Sequence, residues 1–160
     1  MAKIIPVKKY MSFALKEAYA ALEGFEGGPF GCCIVRGREV ISAAHNTVLK
    51  DKDPTAHAEI NAIRQAARKL NSYLLSGCFL YTTTEPCPMC FSAIHWARIS
   101  AVFYGTGIED VKRLGFNELP IRASAMKRYA RSPIVIRRLM RRECLELLKR
   151  FFESTGKRVY

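Results

Sequence analysis

A β-prone apolar run, Cys78–Thr83, lies between two segments that each predict the start of a helix. Thr55 suits the N-cap of a helix over Ala56–Leu70, and Pro88 is tolerated in the first turn of a second helix. A helix, a buried strand and a helix in succession are typical of a layered α/β fold. This alternation constrains the architecture more than any other feature of the sequence.

The remaining pattern extends this alternation over one domain, residues 1–160. Apolar residues at helical spacing predict an amphipathic helix over residues 7–23, and two short runs joined around Gly37 predict a hairpin. The predicted strands are Gly31–Arg36, Glu39–Ala44, Cys78–Thr83, Ala101–Tyr104 and Ile134–Arg138, and a final helix covers Arg141–Glu153. We therefore expect a three-layer α-β-α sandwich around a central mixed five-stranded sheet.

Charge is unevenly distributed along the chain. Lys and Arg number 26 against 14 Asp and Glu, a formal net charge of +12, and residues 112–160 carry +10 of it. Such a cationic segment suits a phosphate-bearing partner or simply a solvated surface. No apolar run approaches the roughly 20 residues that a membrane span requires, and no signal-peptide pattern is present. We therefore expect a cytoplasmic protein that does not contact a membrane.

Two of the six cysteines fall in a motif with metal-ligand spacing. Cys87 and Cys90, three apart at a helix start, share one face, so both sulfurs can bind one ion. The positive end of that helix favours their thiolate forms. His57, at the start of the other helix, would complete the open three-ligand arrangement of a catalytic zinc site.

Glu59 lies two residues after His57, and on a regular helix these positions diverge, which argues against a fourth ligand. Its carboxylate could instead reach a water molecule at the open position and transfer protons to a substrate. The order His-x-Glu, then Pro-Cys-x-x-Cys, is the signature of the zinc-dependent nucleobase deaminases. We therefore expect an enzyme with one Zn²⁺ per subunit, in which Glu59 is the catalytic acid–base.

From about Val7 to Tyr160 the chain resembles the cytidine deaminase-like superfamily, and within it the bacterial guanine deaminases. The zinc and glutamate motifs are shared across that superfamily and define the reaction rather than the base. The resemblance implies hydrolysis of guanine to xanthine and ammonia, a step of purine salvage or catabolism. It is carried by Gly28-Pro29-Phe30-Gly31, Glu85-Pro86-Cys87-Pro88-Met89-Cys90, Trp96-Ala97-Arg98, Gly115-Phe116-Asn117-Glu118 and Gly156-Lys157-Arg158-Val159-Tyr160.

The resemblance also implies two substrate contacts in the last third of the chain. In guanine deaminases a carboxylate just after a Gly-Phe pair accepts hydrogen bonds from guanine, and Glu118 takes that place. Many relatives carry an aspartate where this chain has Asn117, which leaves one carboxylate fewer. Tyr160 corresponds to a terminal tyrosine that closes the family's pocket, and we expect it to pack over the bound base.

Four further residues have a place in the predicted pocket. Asn46 offers a donor and an acceptor to the edge of a base, and Phe30 and Trp96 offer rings for stacking on its faces. Ala58, between the expected zinc ligand and the acid–base, is also expected to contact the substrate. Phe30 and Trp96 have an alternative role in the core, and Asn46 has one as a turn cap.

Other functions stay open on the sequence. The cationic segment and the pattern of the last helix, Glu143-Cys144 with Leu147-Leu148 and Phe151-Phe152, are also typical of tRNA adenosine deaminases, which form inosine at the anticodon wobble position. Guanosine, cytosine or another free base or nucleoside is a further alternative substrate. A nucleic-acid-binding protein with structural zinc is disfavoured, because such sites usually have four ligands.

The resemblance implies a homodimer, since enzymes of this family are commonly dimeric. The expected ligand is a small purine base, with RNA as the second choice of partner. The C-terminal segment, residues 132–160, is a candidate for exchange between subunits. Such an exchange would let Tyr160 serve either its own pocket or the neighbouring one.

Overall fold

A mixed sheet of five strands forms the centre of the computed structural model, which describes residues 5–154 and residue 159. The strands lie in the order β2-β1-β3-β4-β5. β1 pairs antiparallel with both β2 and β3, whereas β3, β4 and β5 are parallel. The expected mixed five-stranded sheet is therefore confirmed. The strands are β1 (Gly31–Arg36), β2 (Glu39–His45), β3 (Cys78–Thr84), β4 (Ala101–Thr106) and β5 (Val135–Arg138).

The helices cover both faces of this sheet. Those in the described part of the chain are α1 (Lys8–Gly24), α2 (Val48–Asp51), α3 (Ala58–Lys69), α4 (Pro88–Trp96), α5 (Ile108–Lys112), α6 (Ala123–Tyr129) and α7 (Arg141–Glu153). Successive side chains of β1 point to opposite faces. Cys32 and Ile34 pack in one apolar cluster with α3 and α4, and Cys33 and Val35 pack in another with α1 and α7. The three-layer sandwich is thereby confirmed.

The start of α3 differs from the prediction. The helix begins at Ala58 rather than Ala56, and its N-cap is His57, with extended backbone, rather than Thr55. The reason is local, because Asp53 Oδ1 accepts from both the backbone N–H (2.8 Å) and the hydroxyl (2.7 Å) of Thr55. Thr55 therefore belongs to a turn, and His57 is the residue that enters the helix. The short helix α2 lies just before this turn.

The carboxyl end of β3 lies next to the start of α3 and directly before α4. Thr82, near the end of β3, donates a 2.9 Å hydrogen bond to Glu59 in the first turn of α3. β3 and β4 run parallel, so their carboxyl ends meet, and Glu85 N donates to Thr106 O at 2.8 Å. Ligands of open α/β sheets commonly bind at this end of the strands.

The described part of the C-terminal segment packs within its own chain. β5 pairs with β4, and Cys144 and Leu147 of α7 are buried in the cluster that α1 covers. Exchange of residues 132–160 between subunits stays a prediction. Across residues 5–154, none of the helices is both long and apolar enough to cross a membrane.

Candidate active site

Three side chains with metal-binding atoms converge where α3 and α4 begin. His57 Nδ1 lies 3.8 Å from Cys87 Sγ and 3.5 Å from Cys90 Sγ. Ligand atoms on one tetrahedral zinc ion are about 3.5–3.8 Å apart, given Zn–S and Zn–N distances of about 2.3 and 2.0 Å. The spacing therefore fits a single zinc ion. Within the described residues, these three form the metal-binding group and no fourth side chain joins it.

The electrostatics of the two cysteines also suit a cation. Hydrogen bonds from Cys90 and His57 lower the pKa of Cys87 to about 4, although burial opposes them. Because Cys90 donates to that thiolate and is itself buried, its own pKa is raised. A dication between the two sulfurs would offset the repulsion between two neighbouring thiolates and so stabilise both of them. Thiolates are the forms of cysteine that bind metal.

Glu59 lies beside this group, buried in the first turn of α3. Its Oε1 accepts from the Thr82 hydroxyl, and its Oε2 lies 3.5 Å from Cys90 Sγ. Burial raises the pKa of Glu59, and the positive charge on His57 and the Thr82 hydrogen bond counteract that effect. A carboxyl group with a raised pKa is suited to receive and return a proton near neutral pH.

A small cavity opens next to these residues. The structure brings the sequence-predicted Phe30, Asn46 and Glu118 to its wall together with Glu59 and two of the expected zinc ligands. Sequence reasoning missed Thr84 and Glu85, although Glu85 directly precedes the Pro-Cys motif and an acid at that place was a usable signal. The lining residues are Phe30, Asn46, His57, Glu59, Thr84, Glu85, Cys87 and Glu118.

Asn46 is buried in the wall with its amide held in one orientation. Its Oδ1 accepts from the backbone N–H groups of Gly28 (3.3 Å) and Val48 (3.1 Å). The backbone of Gly27 passes so close that an added Cβ would lie 2.1 Å from this oxygen. Asn46 thus serves as the turn cap that was the alternative, and it lines the cavity as well.

Phe30 and Glu118 approach the cavity from elements far apart in the chain. The Phe30 ring lies 5.1 Å from the Phe116 ring and nearly edge-on to it, so it has a packing role besides its place in the wall. Glu118 lies between α5 and α6. Burial, with the nearby Cys87 thiolate, raises the pKa of Glu118 to about 7.

The hydroxyl of Thr84 has a defined hydrogen-bond polarity. Thr106 Oγ1 donates to the backbone oxygen of Thr83 (3.1 Å) and also lies 2.9 Å from Thr84 Oγ1. A hydroxyl has one proton and a carbonyl oxygen accepts only. Thr84 must therefore donate to Thr106, which leaves its oxygen with accepting capacity alone for any further partner.

Two predicted substrate residues do not line the cavity, and a third lies outside the described residues. Trp96 is 74% exposed at the end of α4, because that helix turns Phe91 and Ile94 toward the sheet. The alternative prediction that Trp96 belongs to the core is therefore wrong. Its ring does not line the cavity of its own chain either. Ala58 is fully buried in the core beside the site. Tyr160 lies outside the described residues, so its contact with substrate stays a prediction.

Comparison with known proteins identifies relatives of this arrangement. The family model described as the cytidine and deoxycytidylate deaminase zinc-binding region matches residues 6–106. The chain is 46% identical over 110 residues to a guanine deaminase of Bacillus subtilis, covering 67% of this chain and 70% of that protein. It is 35% identical over 148 residues to a tRNA-specific adenosine deaminase of Buchnera aphidicola, covering 91% and 93%. A solved guanine deaminase from Nitrosomonas europaea matches with a TM-score of 0.84 at 28% identity, covering 94% of this chain and 87% of that one.

Proposed function

The chain belongs to the zinc-binding cytidine and deoxycytidylate deaminase family, whose members are hydrolases acting on C–N bonds, and from this premise we propose that its substrate is guanine. The products would be xanthine and ammonia. One observation carries the choice of base, namely that the cavity wall beside Glu59 is rich in hydrogen-bond acceptors. The Glu118 carboxyl group and the Thr84 hydroxyl oxygen both contribute to it.

Acceptors in the wall favour a base that carries N–H donors. Free guanine offers N1–H next to the carbon that bears its amine, and a further ring N–H on its imidazole side. The adenine ring of adenosine, apart from the amine that leaves, presents only ring-nitrogen acceptors. A hydrogen bond from guanine would favour the ionised form of Glu118, whereas the adenine ring would offer this half-buried carboxylate no ring N–H donor.

The reaction then follows from the placement of the zinc ligands and Glu59. His57, Cys87 and Cys90 would hold a zinc ion, which would supply an activated water to attack the carbon that bears the amine. Glu59 would accept one proton of that water and deliver it to a ring nitrogen. It would then move the second proton, from the new hydroxyl group on that carbon, to the amine as the C–N bond breaks, so that a carbonyl group forms and ammonia leaves. Its buried place and its bond from Thr82 keep the carboxyl group aimed at the reacting centre.

Two other residues of the cavity wall, Asn46 and Phe30, orient the base. Asn46 is fixed by two backbone N–H groups, so its amide meets the ring edge without having to reorient. Phe30, braced by Phe116, lies against one face of the purine. Ala58, Trp96 and Tyr160 are further proposed contacts with the base. Of these, Ala58 lies next to the site.

A second candidate is deamination of adenosine in tRNA. The observations that favour it are the net positive charge of residues 112–160 in the sequence and a relative of that activity matched over most of its length. Several basic side chains there are exposed, but Arg141 pairs with Asp110 at 3.0 Å and Arg122 pairs with Glu109. Part of this positive charge is therefore neutralised by acidic side chains of the same chain and is less available to bind RNA.

An ammonia-release screen separates these candidates. The zinc-loaded protein would be given guanine, guanosine, adenine, cytosine, cytidine and an adenosine-containing anticodon stem–loop. We expect release from guanine, and none from the same reaction with Glu59→Ala. Release from the stem–loop alone would reject the guanine proposal in favour of the RNA enzyme, and no release from any substrate would reject both.

A further inference from the structure

The buried carboxyl group of Glu85 lies at the edge of the cavity and takes no part in the chemistry described above. Its side chain is only 5% exposed. Oε1 accepts from the backbone N–H of Ala123 at 3.0 Å. Oε2 lies close to Gly107, at 3.6 Å from where a Cβ on that residue would be. A backbone N–H group thus engages one oxygen of a carboxylate in the cavity wall.

Ala123 is the first residue of α6, and helix starts leave backbone N–H groups that need an acceptor. At the other end, α5 begins directly after Gly107, which lies beside the same carboxyl group. The chain between the two helices carries Glu118. Glu85 therefore lies near both ends of the segment that brings Glu118 to the cavity, and it bonds to the start of α6.

Glu85 is itself firmly anchored next to the zinc ligands. Its backbone N–H donates to Thr106 O at 2.8 Å, which extends the pairing of β3 with β4. Only Pro86 separates it from Cys87. The side chain therefore connects the loop that presents a zinc ligand to the segment that presents a substrate-binding group.

The segment between α5 and α6 is packed on one side of Glu118 and open on the other. Phe116 is buried against Phe30 and Phe151, but Leu119 and Ile121 on the other side of Glu118 are 61% and 43% exposed. The ion pair between Arg122 and Glu109 that joins the same two helices lies at the surface, where such pairs contribute little. On the open side, the buried bond from Ala123 to Glu85 ties the end of this segment to the Cys87 loop.

We propose that Glu85 is a positioning residue for substrate recognition, which sets the place of Glu118 relative to the Cys87 loop by holding the start of α6. The inference rests on the proposed function only in taking guanine as the base that Glu118 receives. Glu85 does not touch the reacting atoms, so its loss should affect binding of the base more than the chemical step.

The direct test is a double-mutant cycle with Glu85→Leu and Glu118→Gln. Leucine has no acceptor, so the substitution at position 85 removes the bond from the Ala123 N–H. For Glu85→Leu we expect the KM for guanine to rise about tenfold, equivalent to about 1.4 kcal/mol, with kcat within about twofold and full zinc content. If Glu85 acts through Glu118, the double variant should be no worse than Glu118→Gln alone. Glu109→Gln, which breaks only the surface pair on the same helix, is the matched control and should leave KM unchanged.

Hydrogen exchange gives a readout that does not depend on turnover. In zinc-loaded protein without substrate, Glu85→Leu should speed exchange of the Ala123 amide and of residues 113–122, and leave α1 unchanged. Multiplying KM effects in the cycle, or unchanged exchange at Ala123, would overturn the proposal. If the wild-type protein releases no ammonia from guanine, the proposed function fails while the exchange experiment still decides the role of Glu85. Glu85→Asp, which keeps the charge but shortens the reach, takes the place of Glu85→Leu if that variant does not fold, with the same expected directions.

Discussion

The Thr82 hydroxyl donates a buried 2.9 Å hydrogen bond to Glu59 Oε1, so a strand residue orients the proposed proton-transfer group on a neighbouring helix. This bond leaves Oε2 as the oxygen nearer the zinc ligands, 3.5 Å from Cys90 Sγ. A carboxyl group free to rotate would present either oxygen and would spend less time aimed at the substrate. Through this hydrogen bond, strand β3 fixes the orientation of the proposed proton-transfer group.

Replacing Thr82 with valine removes this hydrogen bond with little change in shape. We expect Thr82→Val to lower kcat about tenfold, because misplacement of a catalytic group costs rate, while KM and zinc content change little. Steady-state ammonia release with metal analysis would check this. A kcat equal to that of the wild type would mean that Glu59 needs no orientation by Thr82.

Loss of a zinc ligand and loss of the acid–base should have separable effects. Cys87→Ala should abolish stoichiometric zinc binding, since one of three ligands is removed. Glu59→Ala should keep one zinc per subunit but lose turnover by several orders of magnitude. Metal analysis of the two purified variants distinguishes the roles, and full zinc in Cys87→Ala would contradict the ligand assignment.

Gly27 should tolerate no side chain, because a Cβ there would lie 2.1 Å from Asn46 Oδ1 and 2.5 Å from its backbone oxygen. We expect Gly27→Ala to destabilise the fold by about 2 kcal/mol, within the range for overpacking, and to raise the KM for guanine by displacing Asn46. Gly37→Asn is the control, since Gly37 has a positive φ that Asn tolerates and no atom within 4 Å of its added Cβ. Equal effects of the two substitutions in urea unfolding would argue against the close approach as the cause.

His45 should make stability depend on pH. Its Nδ1 and Nε2 each lie 2.9 Å from a carboxylate oxygen, of Glu17 and Glu26 respectively. Burial lowers the pKa of His45, but the hydrogen bonds with the two glutamates outweigh it, so the pKa is raised overall. The stabilisation is therefore fully present below the unfolded pKa of about 6.5, and it is lost as pH rises through the folded value.

The matching measurement is urea unfolding of the wild type and His45→Gln at pH 6 and pH 9. We expect the wild type to be more stable by about 1 kcal/mol at pH 6, as for a partly exposed ion pair, and the difference to shrink at pH 9. A stability difference that grows with pH would contradict a raised pKa for His45.

The parts of the site that could be predicted from sequence are those set by local spacing. Cys87 and Cys90 share a helix face wherever that helix lies, and His57 opens the other helix that flanks the same strand. The predicted start of α3 was two residues too early, because the Thr55 N–H and hydroxyl both donate to the Asp53 side chain. Thr55 therefore forms a turn and does not cap the helix. Local competition of this kind is not visible in residue preferences.

The parts that could not be predicted depend on partners far along the chain. Trp96 faces outward because Phe91 and Ile94 fill the contact with the sheet, a choice that apolar spacing alone left open. Glu85 carried no assigned role because its partner Ala123 is 38 residues away. Substrate specificity belongs to this second class, since Glu118 reaches the cavity only through that long-range packing.

The most direct test of the central claim is the ratio of kcat/KM for free guanine to that for an adenosine-containing anticodon stem–loop, measured by ammonia release with one zinc-loaded preparation. The acceptor-rich wall formed by Glu118 and Thr84 predicts a ratio well above one, and no activity on either substrate in Glu59→Ala. A ratio below one would contradict the guanine proposal, because the cavity would then prefer a base whose ring carries no N–H donor.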